Sequence, residues 1–260
     1  LAERSAVARD VFNEADDVLG FPLSTLCFEG PADELEDTWN AQPALLTMSV
    51  AALRDVEDRA WSSNIAFEPI VTAGHSLGQF TAMVAARVID FADALRLVRE
   101  RGRLMKEAGE LKPGGMAAVI GMDDDALVAV VDEAGSAGVI RIANANCPGQ
   151  TVISGEIPAL ERASALAQER GARKVARLGV SIASHSPLMA DAAKQLNTLM
   201  ADVELRDPEI PIVGNGSAAP ITSATELRAE MAGHMESPVR WTDSVRAMIG
   251  MGVEQFVELG

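Results

Sequence analysis

The 260-residue sequence has little of several things, and each shortage closes off a class of function. It contains two cysteines, Cys27 and Cys147, too far apart for metal-ligand spacing. They read as free thiols in a reduced, cytoplasmic protein rather than as a disulfide. No stretch of about 18 or more apolar residues occurs, so no segment is read as spanning a membrane. The opening LAERSAVARDVF has no apolar run after a basic start and reads as an amphipathic helix, not a signal peptide. Lys and Arg number 22 against 38 Asp and Glu, a formal charge of −16, which leaves no basic footprint for duplex nucleic acid. There is no internal repeat, low-complexity tract or obvious flexible linker. Only three histidines are present, so any chemistry that needs an imidazole has three candidates.

What is there is a chain that is 48% hydrophobic, long enough for one large domain or for a large domain carrying an insert. Its middle alternates strands and helices. Residues 68–73 (EPIVTA) read as a short apolar strand, followed by GHSLGQ and a helix from Phe80 to about Val88. A second helix is predicted from Phe91 to about Ala108. From 112 to 181 the pattern is strand, helix, strand, strand, helix, strand, ending in RKVARLGVSI, the order of a ferredoxin-like unit. Asp123–Asp125 place acidic residues in the first turn of one of its helices. Beyond it a helix starts near Ser186-Pro187, and PIVGN (211–215) and VEQFVEL (253–259) are two more expected strands. The expected fold is α/β: a hydrolase-like larger unit with a mostly parallel sheet (1–111 and 182–260), interrupted by a ferredoxin-like α+β unit (112–181). The chain opens on a helix, whereas a doubly wound sheet begins with a strand. A first strand with its turn, and some C-terminal residues, are therefore expected outside this sequence.

Gly74-His75-Ser76-Leu77-Gly78 fits G-x-S-x-G between a predicted strand and a predicted helix, the setting of a nucleophile elbow. The flanking glycines would let the turn close without a Cβ clash. Ser76 would stand exposed at the strand's carboxyl end, with the Leu77 amide aimed at the oxyanion formed on attack. The plainer alternative is a glycine-rich strand–helix turn with an incidental serine.

Of the histidines, His75 adjoins the serine and must leave the backbone in another direction; it is placed beside the elbow, among the substrate-contacting residues. His185, in Ser-His-Ser-Pro-Leu-Met, lies in a loop between a strand end and a helix start, well placed to meet Ser76 as a base. His234, in ELRAEMAGHMESP, is the second candidate. No acid stands out between the serine and His185, so a dyad with a backbone carbonyl orienting the imidazole is expected.

Placing residues 94–105 at about 100° each puts Ala94, Leu95, Leu97, Val98, Gly102, Leu104 and Met105 on one arc of a helix. Arg101 falls near the middle of that arc. A guanidinium there needs a partner, since burying it alone costs several kcal/mol. The partner is either a protein carboxylate or a ligand carboxylate, which arginine grips bidentately.

In chain order, TWNAQPALL (38–46), GHSLGQ (74–79), LVRERGRLM (97–105), NANCPGQTVISG (144–155), SHSPLM (184–189) and SPVRW (237–241) resemble malonyl-CoA:acyl carrier protein transacylases and the acyltransferase domains of fatty acid and polyketide synthases. The resemblance covers nearly the whole chain. It implies Ser76 as acylated nucleophile, His185 as general base, Arg101 as the binder of the acyl carboxylate, and Gln42 with Asn144 or Asn146 lining the pocket. It also implies a main-chain carbonyl orienting the base, at the place of His234, with that residue's carbonyl rather than its ring in use. The family's GQGSQ-like loop, which supplies a second oxyanion amide, and its C-terminal PGxxL segment are not in this sequence, and Gln79 stands where glutamate is more frequent.

The expected activity is malonyl transfer from malonyl-CoA to the phosphopantetheine thiol of acyl carrier protein. The coenzyme A thioester is then a substrate, with no metal or bound cofactor, and the protein acts as a cytoplasmic monomer without nucleic acid or membrane. Because carrier proteins are usually acidic, Arg96, Arg99, Arg103 and Lys106 are candidates for a basic docking patch or, equally, an ordinary solvated helix face. Alternatives are a methylmalonyl-selective polyketide synthase domain, since serine precedes His185, an α/β-hydrolase esterase, and a docking module with a dead site.

Overall fold

The computed structural model describes residues 1–260. The chain opens with α1 (Ala6–Leu19), α2 (Leu23–Glu29), α3 (Ala32–Glu36) and α4 (Thr38–Ser62), then reaches β1 (Thr72–Ala73), α5 (Gly78–Ala85) and α6 (Phe91–Leu111). Next come β2 (Gly114–Ile120), α7 (Asp124–Ala134), β3 (Ile140–Cys147), β4 (Gln150–Glu156), α8 (Ile157–Glu169) and β5 (Lys174–Arg177). A 3-10 turn at Pro187–Met189 leads into α9 (Ala190–Ala201), then β6 (Ile212–Val213), β7 (Pro220–Ile221), α10 (Ala224–Ala232) and α11 (Trp241–Gly250). No helix is long and apolar enough to cross a membrane.

Local chemistry accounts for the boundaries. Ser5 caps α1 by accepting from the Ala8 amide at 3.2 Å, and Ala8, Val11, Phe12 and Ala15 then supply an i, i+3, i+4, i+7 buried stripe. Asp123 caps α7, accepting from the amides of Asp125 and Ala126. Ser186 caps the 3-10 turn through Leu188. α6 buries one face, Ala94 through Met105, against α4 and α9. Gly102 permits that approach: a Cβ there would overlap the Thr38 carbonyl at the start of α4.

The middle of the chain follows the expected β-α-β-β-α-β order. Its four strands are antiparallel, in the spatial order β3-β4-β2-β5. Ala117, Leu127, Val130, Ile140, Ile153 and Leu160 form a core between this sheet and α7 and α8. A separate, larger core joins α1, α4, α5, α6 and α9.

The other sheet corrects the sequence reading. Instead of a mostly parallel sheet there are three two-residue strands in the order β1-β6-β7, β1 parallel to β6 and β7 antiparallel to it. The expected strand 68–73 contracts to Thr72–Ala73, with Ile70 exposed; the one at 173–182 contracts to Lys174–Arg177. Residues 253–259 form no strand, and Phe256 and Val257 are exposed. Apolar alternation reports a two-sided environment, but a strand exists only where a neighbouring backbone accepts its bonds.

Candidate active site

β1 delivers the chain to Gly74-His75-Ser76-Leu77-Gly78, and α5 starts at Gly78. Ser76 is left-handed, with φ of 50°, a conformation that costs a non-glycine residue about 1–3 kcal/mol unless its surroundings enforce it. Gly74 is required: a Cβ would overlap the backbone of Gly78 and Gln79. Gly78 is not, because a Cβ there would meet open space, so the expected role of both glycines holds only for the first.

His185, also left-handed at φ 57°, places Nε2 at 2.9 Å from the Ser76 Oγ. Its Nδ1 lies 2.9 Å from the Ser237 carbonyl. A carbonyl only accepts, so Nδ1 carries the proton and the Nε2 lone pair faces the hydroxyl, the tautomer a general base needs. Burial, followed by the neighbouring Arg101 charge, pushes the His185 pKa down to about 3, and the Ser237 carbonyl partly offsets this. The ring is therefore neutral at pH 7.

Arg101 is 3% exposed, confirming its place on the apolar arc. It donates to the Gln42 Oε1 at 2.7 Å and to the Ser76 Oγ at 3.0 Å, while its Nε has no partner. No carboxylate of the protein pairs with it. Burial lowers its pKa to about 10, so it remains a buried cation at neutral pH. Gln42 is fixed in turn by donating to the Thr38 hydroxyl at 2.9 Å and contacting the Met105 sulfur. The Leu77 amide, at the first turn of α5, donates to no group of the protein.

The remaining expected residues fall into place unevenly. His75 points away from the hydroxyl: its Nε2 meets the Asn146 Oδ1 at 2.9 Å and its ring packs edge-on to Trp241. Asn144 is buried on β3, bridged to Val239, and no side-chain hydrogen bond links it to Ser76. His234 lies just past α10 rather than within a helix. The expectation for it needs correction. The carbonyl in hydrogen-bond contact with His185 is that of Ser237, the His234 carbonyl acting on the ring more weakly. The ring, expected to be idle, brings its Nε2 to 3.0 Å from the Ser76 carbonyl. The four cations suggested for a docking patch or a solvated helix face all have neighbours within the protein. Arg96 pairs with Asp93, Arg103 with Glu100 and Glu107, and Lys106 with Asp37. Arg99 lies over the rings of Phe21 and Trp39 at 4.2 and 4.6 Å.

Asn215 was missed by sequence reasoning. It follows β6, is 3% exposed, accepts from the Ser76 amide at 2.6 Å and donates to the Gly74 carbonyl at 2.7 Å. The only local signal was an asparagine after an apolar strand, which reads equally as a turn residue.

Residues 1–260 match the family described as "Acyl transferase domain". The chain is 42% identical to a malonyl CoA-acyl carrier protein transacylase of Bacillus subtilis, over all of this chain and 80% of that protein. An acyl carrier protein S-malonyltransferase from Vibrio cholerae superposes with a TM-score of 0.94 at 40% identity, covering all of this chain and 83% of that one. A malonyl-transacylase solved with a type II PKS acyl-carrier protein gives 0.94 at 39%, covering all of this chain and 82% of that one. With a serine, an imidazole and a buried guanidinium meeting at one hydroxyl and relatives of this similarity along its full length, the chain belongs to the malonyl CoA-acyl carrier protein transacylase family of acyl transferase domains.

Proposed function

We propose that the protein transfers a malonyl group from malonyl-CoA to the phosphopantetheine thiol of an acyl carrier protein through an acyl-serine at Ser76. The observation that carries this reading is the shared hydroxyl. The Ser76 Oγ sits 2.9 Å from the His185 Nε2 and 3.0 Å from the Arg101 Nη2, and Arg101 has no protein counter-ion.

His185 takes the hydroxyl proton as Oγ attacks the thioester carbonyl. The Leu77 amide donates to the developing oxyanion. The tetrahedral adduct collapses with cleavage of the C–S bond, and the proton passes from Nε2 to the departing coenzyme A thiolate. In the second half, His185 takes the proton of the carrier's thiol, the sulfur attacks the acyl-serine, and Ser76 leaves with that proton. In malonyl, one methylene separates the thioester carbonyl from the free carboxylate. A carboxylate paired with Arg101 therefore sets the carbonyl carbon near Oγ. The same pairing offsets the cationic neighbour that depresses His185, making the base stronger once substrate is bound. An acetyl group would leave the guanidinium unpaired. Gln42 orients Arg101, and Asn144 and Asn146 line the β3 side of the cleft.

The reading divides the chain into a hydrolase-like unit (1–111 and 182–260) and a ferredoxin-like unit (112–181), acting as a cytoplasmic monomer on free coenzyme A thioesters. An esterase is less well supported, because a carbonyl rather than a carboxylate orients His185. Intact-mass measurement after brief mixing with malonyl-CoA is the test. One malonyl adduct on Ser76, discharged by holo-carrier protein, is expected. An adduct that only water discharges would reject transfer, and no adduct would reject the nucleophile.

A further inference from the structure

We infer that Asn215 and the His234 ring form a clamp that holds Ser76 in its left-handed conformation, making both positioning residues for the reaction proposed above, on which this inference rests. Neither side chain touches the hydroxyl. Both grip the backbone of the residue that bears it, one from each side. The Asn215 Oδ1 takes the Ser76 amide at 2.6 Å, its Nδ2 donates to the Gly74 carbonyl at 2.7 Å, and the His234 Nε2 donates to the Ser76 carbonyl at 3.0 Å. One asparagine side chain thus spans the turn from residue 74 to residue 76, while the imidazole fixes the peptide that follows.

The clamp members are themselves held from outside the elbow. The Asn215 amide donates to the buried Gln79 Oε1 at 3.2 Å, and its carbonyl accepts from the Arg240 amide at 2.9 Å. The His234 ring packs edge-on to Phe80, with centroids 5.6 Å apart. Because its Nε2 faces a carbonyl, Nε2 must carry the proton. That leaves Nδ1 as a lone pair, and it is buried with no partner. An imidazole kept in the interior with one nitrogen unsatisfied has a poor structural justification; the donated bond to Ser76 supplies one.

Two consequences for the chemistry follow. A left-handed serine has no intrinsic preference for its conformation, so releasing either grip lets Oγ swing away from the His185 Nε2. The Ser76 amide is also occupied by Asn215, so it cannot serve the oxyanion, and that task falls to the free Leu77 amide.

The test uses the full chain and reads Ser76 twice: by malonyl-CoA acylation, and by a fluorophosphonate, which phosphonylates the serine oxygen with loss of fluoride whatever the natural acyl group. Asn215→Ala and His234→Leu should each slow both reactions by about 10²-fold, the penalty of a reacting atom displaced by about 1 Å. The malonyl-CoA KM should stay near the wild-type value. His234→Gln, whose amide can still donate, should recover at least about tenfold of the His234→Leu loss. The double variant should lose less than the product of the single losses, because the two act on one residue. Wild-type labelling rates in folded Asn215→Ala, or a His234→Gln no better than His234→Leu, would overturn the inference. If Asn215→Ala does not fold, the pair at 234 decides alone. Wild-type protein labelled by the fluorophosphonate but not by malonyl-CoA would instead sink the proposed function while leaving the clamp testable.

Discussion

The two sheets of this protein are organised in opposite ways. The sheet of β2, β3, β4 and β5 has long ladders, seven residue pairs without a break between β2 and β4, though β3 shifts register against β4 after Ile142 and after Ala145, and a core of 14 buried residues of its own. No side chain from it is hydrogen-bonded to the Ser76 hydroxyl. The sheet of β1, β6 and β7 has two residue pairs at each junction, yet Ser76 and Asn215 follow its strands β1 and β6, and the loops holding His185 and His234 meet them there. Regularity and function are separated. Where backbone ladders satisfy the polar groups, most side chains pack, and Asn146 reaches only the His75 ring beside the elbow. Where they do not, side chains such as Asn215 take over the backbone's hydrogen bonds and thereby fix the reacting atoms.

The largest effect that would sharpen this contrast is expected at the irregular side. His185→Ala should reduce Ser76 acylation about 10²–10⁴-fold, the usual worth of a positioned base, with little change in melting temperature. Stopped-flow or quenched mass measurement reads the rate. A modest fall would mean that some other group accepts the proton.

On the regular side the order of effects should reverse. Ile153→Ala removes a fully buried side chain from the smaller core and should cost about 2–5 kcal/mol of stability. Acylation per folded molecule should stay close to wild type. Calorimetry alongside the acylation assay checks both halves, and a collapse of activity in folded protein would show that the small unit does more than pack.

A smaller effect comes from pH. The His185 pKa is about 3 in the fold against about 6.5 in the unfolded chain. Both forms are neutral above pH 6.5, so that group contributes no pH dependence there. Below 6.5 the unfolded chain takes up a proton the folded one refuses, so stability falls with pH by about 1.4 kcal/mol per unit from this group alone. His234, depressed well below its ordinary value mainly by burial, acts in the same direction. Denaturant titrations between pH 7 and 5 should show this loss, and it should shrink in His234→Gln.

The same contrast explains what the sequence made legible. The small unit's order of elements could be read residue by residue, because local periodicity and local caps such as Asp123 determine it. Arg101 was found by the same means: a charge on an apolar helical arc is a local contradiction that only a site resolves. Ser76 and His185 were paired by motif and loop context. The lost strands at 68–71 and 253–259 failed because pairing is a property of the neighbour, not of the run itself. The Ser237 carbonyl was invisible since backbone groups leave no mark on residue type. Asn215 and the His234 ring were missed for a related reason: their partners are backbone atoms about 140 and 158 positions away.

The central claim is that Arg101 waits, buried beside the nucleophile, for the carboxylate of the acyl group. Its most direct test is Arg101→Ala, with Ser76 acylation by malonyl-CoA and acetyl-CoA followed in parallel. The account predicts that malonyl transfer collapses while acetyl transfer holds or rises, because the cation that depresses His185 is gone. Equal loss with both substrates would contradict it.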